Sequence, residues 1–409
     1  MVKWNPLCIF IEINYGGKVK GFNRLANTDF VLQDFEVGCN MNLYQDKNEL
    51  IDFASSEYLG LSTDIRKEDL VNVKKVGLRN GWSRISGNTS VTYGLERDLS
   101  AFLGFEATRL AQSISLINVT IFSALSKVYH FYLFDKDVHI TLKMGLRTIK
   151  KDQVVSFENN NLVELESILK QRPMAEKKII VIDGVYSMRG EVASIEKLQL
   201  LLEKYNCDLL IDDAHGFGVI GYNGRGVASR ITTALKKRTI YIASFSKCAS
   251  NPVGFVSSSK ELCEKLDLSA PFLIYSGPPS NLHVLISNRH LNSFETEEFK
   301  LKRELLFESS KDIHRFLFEN DIKYLSTSGF PIISMCIHPE YLEAIITSLK
   351  SSGIFAKPAI FPVVQKGDEV IRFTLTVNNC QNGIPKLKAA ILRVKEYTRR
   401  WKSAIEISV

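Results

Sequence analysis

The feature that most constrains the fold is an alternation of strand and helix patterns between residues 177 and 247. Short apolar runs at 179–182, 207–211 and 240–242 have the composition of buried parallel strands. An amphipathic segment at 195–205 has the spacing of a helix that lies on a sheet. Because parallel strands need a crossover connection, this alternation predicts an α/β fold with a mostly parallel sheet between helices.

Polar residues follow these apolar runs, where each strand is expected to end. Asp183 follows the first run, Asp212 the second, and Lys247 comes shortly after the third. Ligands of parallel sheets bind at the carboxyl edge, so these side chains are expected to meet there. A lysine in a partly desolvated site has a lowered pKa and can attack a carbonyl to form a Schiff base. Taken alone, however, Lys247 would more often be a surface lysine.

Asp212 and His215 favour a cofactor that contains a pyridinium ring. A carboxylate keeps the ring nitrogen protonated, so that the ring can accept electrons from a carbanion, and the histidine can reach the ring's phenolic oxygen. The same pair could instead be metal ligands, or a helix cap and a core histidine. Their combination with Lys247 favours pyridoxal 5'-phosphate (PLP) as the cofactor.

Several ordered motifs identify a family resemblance that covers roughly residues 50–395. The motifs are IDDAHGFGVIGYNGRG at 211–226, SFSK at 244–247, FASSEYLGLS at 53–62, SGNTSVTYGLE at 86–96, DGVYSMRGE at 183–191 and IRFTLT at 371–376. They resemble the α-oxoamine synthase family of fold-type I PLP enzymes. Its members include 8-amino-7-oxononanoate synthase, glycine C-acetyltransferase, 5-aminolevulinate synthase, serine palmitoyltransferase and the α-aminoketone autoinducer synthases.

The resemblance implies roles for two residues that lie outside the segment 177–247. His139 matches the family histidine that stacks on the pyridine ring and donates a proton to a developing oxyanion. Arg372 matches the arginine that binds the amino acid's α-carboxylate. By themselves, a lone histidine beside apolar residues is more often structural, and an arginine on a strand is commonly a surface residue.

Four serines complete the expected cofactor site. A helix predicted after residue 111 would present free backbone N–H groups to the cofactor phosphate, with Ser113 as a side-chain donor. Ser187 is expected on the side of the ring oxygen, although a loop serine is usually a turn residue. Ser244 precedes Lys247, and by resemblance Ser276 reaches the phosphate of the partner subunit.

The implied reaction is condensation of an α-amino acid with an acyl thioester, either acyl-CoA or acyl carrier protein, followed by decarboxylation to an α-amino ketone. Lys247, Asp212 and His139 are its expected catalytic residues. An aminotransferase or a carbon–carbon lyase remains an alternative on the same fold. A non-catalytic heterodimer partner also remains open, because the chain departs from the family pattern at Ser56, at 114–115 and at 251–252.

The expected organisation is an N-terminal segment at 1–50, a large cofactor-binding domain at 51–284 and a small α+β domain at 285–409. The chain is 45% hydrophobic, which is ample for a sizeable core. The resemblance further implies a homodimer with shared active sites.

Bulk composition excludes several classes of protein. The net charge of +7 is spread along the chain without a basic run, which argues against a nucleic-acid-binding tail. No apolar run is long enough for a transmembrane segment. The seven cysteines lack the spacing of metal ligands and indicate free thiols in the cytoplasm. No GxGxxG follows an early strand, so a nicotinamide-binding fold is disfavoured.

Overall fold

The computed structural model describes residues 36–37, 43–45, 48–79, 81–327, 329–361 and 363–400. Most of the predicted N-terminal segment at 1–50 lies outside these residues. Backbone contacts divide the chain into two compact units. Unit 1 comprises Met1–Ser55, Ser309–Leu375 and Asn379–Val409, and unit 2 comprises Ser56–Glu308 and Thr376–Asn378. The domain boundaries after residues 50 and 284 stay predictions.

The described strands are short, and most of them belong to unit 2. In chain order they are β1 (Glu36–Val37), β2 (Leu43–Gln45), β3 (Asn48–Asp52), β4 (Ala107–Ala111), β5 (Phe131–Asp135), β6 (Val154–Phe157), β7 (Lys178–Asp183), β8 (Val185–Tyr186), β9 (Glu191–Val192), β10 (Cys207–Asp212), β11 (Thr239–Ser244), β12 (Gly254–Ser258), β13 (Ile332–Cys336), β14 (Ile354–Phe355), β15 (Lys357–Ala359) and β16 (Val370–Thr374).

Helices alternate with these strands through most of unit 2. The described α-helices are α1 (Lys67–Val76), α2 (Ser90–Leu103), α3 (Ile114–Leu125), α4 (Ile140–Leu146), α5 (Leu162–Lys170), α6 (Ile195–Lys204), α7 (Thr233–Lys236), α8 (Phe245–Cys248), α9 (Lys260–Ser269), α10 (Pro271–Ile274), α11 (Asn281–Ser293), α12 (Glu297–Glu319), α13 (Leu342–Ser351), α14 (Val377–Asn382) and α15 (Ile384–Arg393). Short 3-10 turns occupy Lys151–Gln153, Tyr222–Gly224, Gly226–Arg230, Pro339–Tyr341 and Lys395–Tyr397. None of the described helices combines the length and the apolar character that a bilayer crossing requires.

A seven-stranded sheet organises unit 2, in the order β4-β12-β11-β10-β7-β5-β6. The neighbours from β11 to β6 all pair in parallel, whereas β12 runs antiparallel to both β11 and β4. The mostly parallel sheet with crossover helices confirms the predicted α/β class. The predicted helix at 195–205 is also confirmed, as α6.

The register of the central strands fixes where their polar ends lie. Asp212 of β10 is the pairing partner of Asp183 of β7 on one side and of Ile242 of β11 on the other. The three carboxyl ends therefore meet at one edge of the sheet. Lys247 follows β11 at this same edge, as the sequence pattern predicts.

The apolar residues of the central strands form the core of unit 2. Apolar side chains of helices α3, α4, α9 and α10 pack with apolar side chains of the sheet in one buried cluster. The helix residues of this cluster include Ile117, Ile121, Phe122, Leu125, Leu142, Leu146, Leu266 and Phe272, and the strand residues include Ile179, Val181, Leu210, Ile240, Ile242 and Val256. Each such side chain stabilises the fold by about 1.5–3 kcal/mol relative to exposure. This packing holds α3 and α4 rigidly beside the carboxyl edge.

Unit 1 contains the three-stranded antiparallel sheet β13-β16-β15 and the small sheet β1-β2-β3-β14. Arg372 lies on β16, where it is paired in register with Ser334 and Lys357. All five residues of β13 are buried, as are four of the five residues of β16. Unit 1 therefore combines helices with mostly antiparallel strands.

Candidate active site

Lys247 lies in the short helix α8, which starts where β11 ends. Ser244 caps this helix, because its Oγ accepts a hydrogen bond from the backbone N–H of Ser246 at 2.9 Å. The Ser244 hydroxyl also contacts the Ser246 hydroxyl at 2.8 Å. The backbone carbonyl of Lys247 accepts a hydrogen bond from the N–H of Tyr58 at 3.0 Å. These bonds fix the backbone that presents the lysine.

Asp212 is buried at the carboxyl end of β10 and accepts hydrogen bonds at both oxygens. Its Oδ1 accepts from the N–H of Ala214 at 3.0 Å, and its Oδ2 accepts from Nδ2 of Asn118 at 2.6 Å. Asn118 comes from α3, so the sheet and a covering helix position this carboxylate together. The contact between Asn118 and Asp212 joins residues 94 positions apart and is visible only in three dimensions.

His139 is the N-cap of α4, and the charges of Asp212 and Lys247 both act on its imidazole. Its backbone N–H donates to the carboxylate of Asp183 at 3.2 and 3.1 Å. Burial lowers the pKa of the imidazole; the Asp212 charge opposes this shift, and the Lys247 charge adds to it. The imidazole is therefore neutral at neutral pH. It shares one electrostatic environment with Asp212 and Lys247.

Asp183 and Asp212 form a pair of neighbouring buried carboxyl groups. Burial and the adjacent Asp212 charge raise the pKa of Asp183 well above its ordinary value. Two carboxylates side by side resist simultaneous ionisation, so this edge of the sheet holds a proton more readily than an isolated aspartate does. The sequence predicted Asp183 at the end of the strand, but it did not predict that Asp183 accepts a hydrogen bond from the backbone of His139.

His215 lies on the loop after β10 and is held by Tyr58. The hydroxyl of Tyr58 and Nδ1 of His215 are 2.7 Å apart, and the two rings meet edge to face with centroids 6.0 Å apart. Tyr58 is completely buried. It belongs to the EYLG stretch of the quoted motifs, which was the available sequence clue, although the sequence assigned it no role.

The N-terminus of α3 forms an anion-compatible corner beside this edge. Ser113 is the N-cap, and its Oγ accepts from the N–H of Leu116 at 3.2 Å. The other N–H groups of the first turn lack intrahelical partners by construction. A Cβ added to Gly254 of β12 would come within 2.5 Å of the Ile114 nitrogen. Only glycine permits β12 to approach this helix start so closely.

The remaining predicted residues are Ser187, Ser276 and Arg372. Ser187 directly follows β8 and is half-buried. The Ser276 hydroxyl donates to the carbonyl of Gly277 at 3.3 Å, on the loop after α10. Arg372 is half-buried on β16 of unit 1. The contributions of these residues and of the other site residues to binding and catalysis stay predictions.

Comparison with known proteins decides the family. Residues 48–384 match the family described as aminotransferase class I and II. The chain belongs to the aminotransferase class I and II family. This assignment agrees with the sheet topology and with the position of Lys247 at the carboxyl edge.

Within the aminotransferase class I and II family, the chain is similar to relatives with more specific names. The chain is 30% identical to the 8-amino-7-oxononanoate synthase of Petrotoga mobilis, over 80% of this chain and 84% of that protein. It is 26% identical to the serine palmitoyltransferase of Sphingobacterium spiritivorum, over 85% and 87% of the two chains. These names confirm the resemblance to the α-oxoamine synthases.

A solved structure of the S. paucimobilis serine palmitoyltransferase, which holds a PLP–myriocin aldimine, shares the fold. It superposes with a TM-score of 0.82 at 20% sequence identity, and the match covers 96% of this chain and 100% of that chain. The predicted fold-type I architecture is thereby confirmed.

The residues at the carboxyl edge fit the cofactor that this fold family implies. Asp212 offers a carboxylate for a protonated ring nitrogen, and Lys247 offers an amine for an aldehyde. The start of α3 offers N–H donors for a phosphate. Asn118 Oδ1 is buried and accepts no hydrogen bond from any described residue, which leaves an acceptor beside Asp212. The donor set therefore suits PLP.

Proposed function

We propose that this protein is a PLP-dependent C-acyltransferase. It condenses an α-amino acid with an acyl thioester and releases carbon dioxide to give an α-amino ketone. The observation that carries this proposal is the meeting of Lys247, Asp212 and His139 at one sheet edge, in a chain related to synthases of this type. Two of the named relatives, an 8-amino-7-oxononanoate synthase and a serine palmitoyltransferase, support the reaction class.

PLP, when bound, supplies an electron-accepting ring for a carbanion at the amino acid's α-carbon. Lys247 would bind the cofactor's carbonyl carbon and, once released from it, move the α-proton. Asp212 would hold the proton on the ring nitrogen, and His215 would orient the ring oxygen. His139 would stack on the ring and donate a hydrogen bond to the thioester oxygen as negative charge develops there.

Substrate and phosphate contacts complete the proposed site. Arg372 would bind the α-carboxylate through its guanidinium fork, which matches a carboxylate in geometry. Ser113 and the first turn of α3 would bind the cofactor phosphate, and Ser244 and Ser187 would line the ring. Acyl-CoA or an acyl carrier protein would deliver the acyl group.

The decisive test is thiol release that depends on both an amino acid and an acyl thioester. The purified protein should be yellow with PLP, and single amino acids should change its absorption spectrum. Thiol should appear only when both substrates are present. Release that requires a keto acid instead would indicate an aminotransferase, and a protein that stays colourless with added PLP would contradict the proposal.

Replacement of Lys247 tests its proposed role directly. Lys247→Ala should still bind PLP but should produce no thiol, because the amine that moves the proton is gone. The matched control is Lys237→Ala, an exposed lysine that precedes the same strand β11, and it should retain normal turnover. Turnover by the Lys247 variant would exclude this lysine as the catalytic amine.

We further propose a homodimer that works in the cytoplasm. Exposed apolar side chains are frequent in the stretch 65–93 of unit 2: Ile65, Leu70, Val71, Val76, Leu78, Trp82, Ile85 and Tyr93. This stretch contacts the start of α11, since Asn281 N–H donates to the Leu78 carbonyl at 2.8 Å. Large exposed apolar patches are typical of interaction surfaces. The five described cysteines are free and buried, which suits a reducing compartment.

Light scattering after size-exclusion chromatography tests this assembly. The wild-type protein should have twice the monomer mass, and Leu78→Glu should dissociate it because a carboxylate would be buried in an apolar interface. Val163→Glu is the control, since Val163 is 82% exposed on α5 and lies outside the stretch 65–93. A monomeric wild-type protein, or a dimer that tolerates Leu78→Glu, would contradict the proposed interface.

A further inference from the structure

A continuous series of hydrogen bonds joins Asp212 to the His139 ring. Asn118 Nδ2 donates to Asp212 Oδ2 at 2.6 Å and to Thr141 Oγ1 at 3.1 Å. Thr141 Oγ1 lies 2.7 Å from His139 Nδ1, and the backbone N–H of Thr141 points to the same nitrogen at 3.4 Å. The series therefore connects one sheet strand, two helices and the imidazole.

The direction of each hydrogen bond follows from the number of protons available. A carboxylate only accepts, so the amide nitrogen of Asn118 must face Asp212 and its other proton faces Thr141. Thr141 Oγ1 thus accepts from Asn118. Its single hydroxyl proton is left for His139 Nδ1, which lies at ordinary hydrogen-bond distance.

The backbone confirms the same direction at the imidazole. An N–H at Nδ1 of His139 would face the N–H of Thr141, and two donors cannot bond to each other. Nδ1 therefore accepts from the hydroxyl and from the backbone of Thr141. In a neutral imidazole the proton must then sit on Nε2.

We propose that Asn118 and Thr141 are positioning residues that fix His139 as the Nε2–H tautomer. Burial of the ring, which lowers its pKa, agrees with a neutral imidazole. No described residue forms a hydrogen bond with Nε2, so this N–H is available to a bound substrate. Its use as the donor to the thioester oxygen rests on the proposed function, whereas the tautomer itself does not.

The effect of the Thr141 hydroxyl on the His139 tautomer can be removed by a substitution that changes the shape of the side chain little. Thr141→Val keeps the branched side chain but removes the hydroxyl proton that Nδ1 accepts. Thr141→Ser keeps the hydroxyl. Thr120→Val is the matched control, because the Thr120 hydroxyl donates only to the Leu116 carbonyl within α3.

The test is nitrogen NMR of the full-length protein labelled with 15N-histidine, with His139→Asn used to assign the resonances. In the wild-type protein, Nε2 of His139 should resonate as a protonated nitrogen and Nδ1 as an unprotonated one. In Thr141→Val, both resonances should shift toward the average of the two tautomers. Thr141→Ser and Thr120→Val should keep the wild-type pattern.

The outcomes separate this inference from the proposed function. A proton on Nδ1 in the wild-type protein would overturn the inference, as would a Thr141→Val spectrum identical to wild type. The expected spectra from a protein without thiol release would support the tautomer and contradict the proposed reaction. In an active enzyme, Thr141→Val should lower kcat more than it raises KM, and Thr141→Ser should restore it.

Discussion

Asp212 and Asp213 are consecutive carboxylates that the fold uses in opposite ways. Asp212 lies on the side of α3 and is connected through Asn118 to the His139 ring. Asp213 points to the other side of the same strand end and is completely buried. Adjacent residues of an extended segment point to opposite faces, so identical side chains meet different surroundings.

Asp213 has a structural role, because its hydrogen bonds connect the loop after β10 to Val227 and to Tyr241 of β11; we call this arrangement the clamp. Its Oδ2 accepts hydrogen bonds from Tyr241 Oη at 2.7 Å and from the N–H of Val227 at 2.8 Å. A Cβ added to Gly226 would lie only 2.0 Å from this oxygen, and one added to Gly216 would lie 2.1 Å from Oδ1. The loop that carries His215 is thus folded tightly around one carboxyl group.

The comparison teaches that two consecutive carboxylates can be distinguished by the groups that surround them. Asp212 is surrounded by side chains that continue into the proposed active site. Asp213 is enclosed by backbone that leaves no room for a ligand. We therefore expect changes at Asp212 to act on activity and changes at Asp213 to act on stability.

The largest expected effect is on catalysis in Asp212→Asn. The substituted amide cannot hold a proton on the ring nitrogen, so kcat should fall by about a hundredfold or more. The thermal unfolding temperature should change little, because the side chain keeps its size and can still accept from Ala214. A near-normal kcat would show that Asp212 does not support the cofactor ring.

The free energy of unfolding should depend on pH through the titration of the Asp213 carboxyl group. Burial raises the pKa of Asp213 to about 7 from its ordinary value near 3.8, although hydrogen bonds from Tyr241 and Val227 oppose this shift. The folded protein therefore binds this proton more tightly than the unfolded chain. Its contribution to stability is complete below about pH 4 and is lost as the pH rises through about 7, by up to about 4 kcal/mol.

Urea unfolding between pH 4 and 8 measures this contribution. Asp213→Asn cannot titrate, so the fall in its free energy of unfolding with rising pH should be shallower than in the wild-type protein. Asp212→Asn serves as the comparison on the ligand-facing side. Equal slopes for Asp213→Asn and the wild-type protein would exclude Asp213 as the titrating group.

A smaller loss of stability is expected for Gly226→Ala. The added methyl group would overlap Asp213 Oδ2, and Gly226 has a φ of +61°, which alanine adopts only with strain. We expect the free energy of unfolding to fall by about 3 kcal/mol in urea. The control Gly94→Ala lies within α2 with no atom within 4 Å of the new Cβ, and it should be stabilising by about 1 kcal/mol. Equal effects of the two changes would contradict the clamp.

Much of the fold could be predicted because its evidence is local. The apolar runs that became β7, β10 and β11 and the amphipathic repeat of α6 were visible as patterns of period and composition. The end of α2 also has a local signal, because the C-cap is Gly104 and glycine readily adopts the left-handed conformation seen there, with a φ of 72°. The residues after the predicted strands supplied Lys247, Asp212 and His215 as candidates, and the family resemblance added His139.

The contacts within the candidate site could not be predicted, because they join distant parts of the chain. Tyr58 meets His215 across 157 positions, and Asn118 meets Asp212 across 94. Nothing in the sequence distinguishes Thr141 from other helical threonines. Its contact with His139 Nδ1 depends on the cap geometry of α4 and on the packing of α3 beside it.

By itself, the sequence determined the α/β class, the order of the elements and the sheet edge at which the polar residues lie, because hydrophobic periodicity is a property of neighbouring residues. Only the tertiary structure showed that the adjacent Asp212 and Asp213 have different partners, and that Asn118 and Thr141 connect Asp212 to the His139 ring. Those outcomes depend on strand register and on helix packing, which bring together donors and acceptors that the sequence keeps far apart.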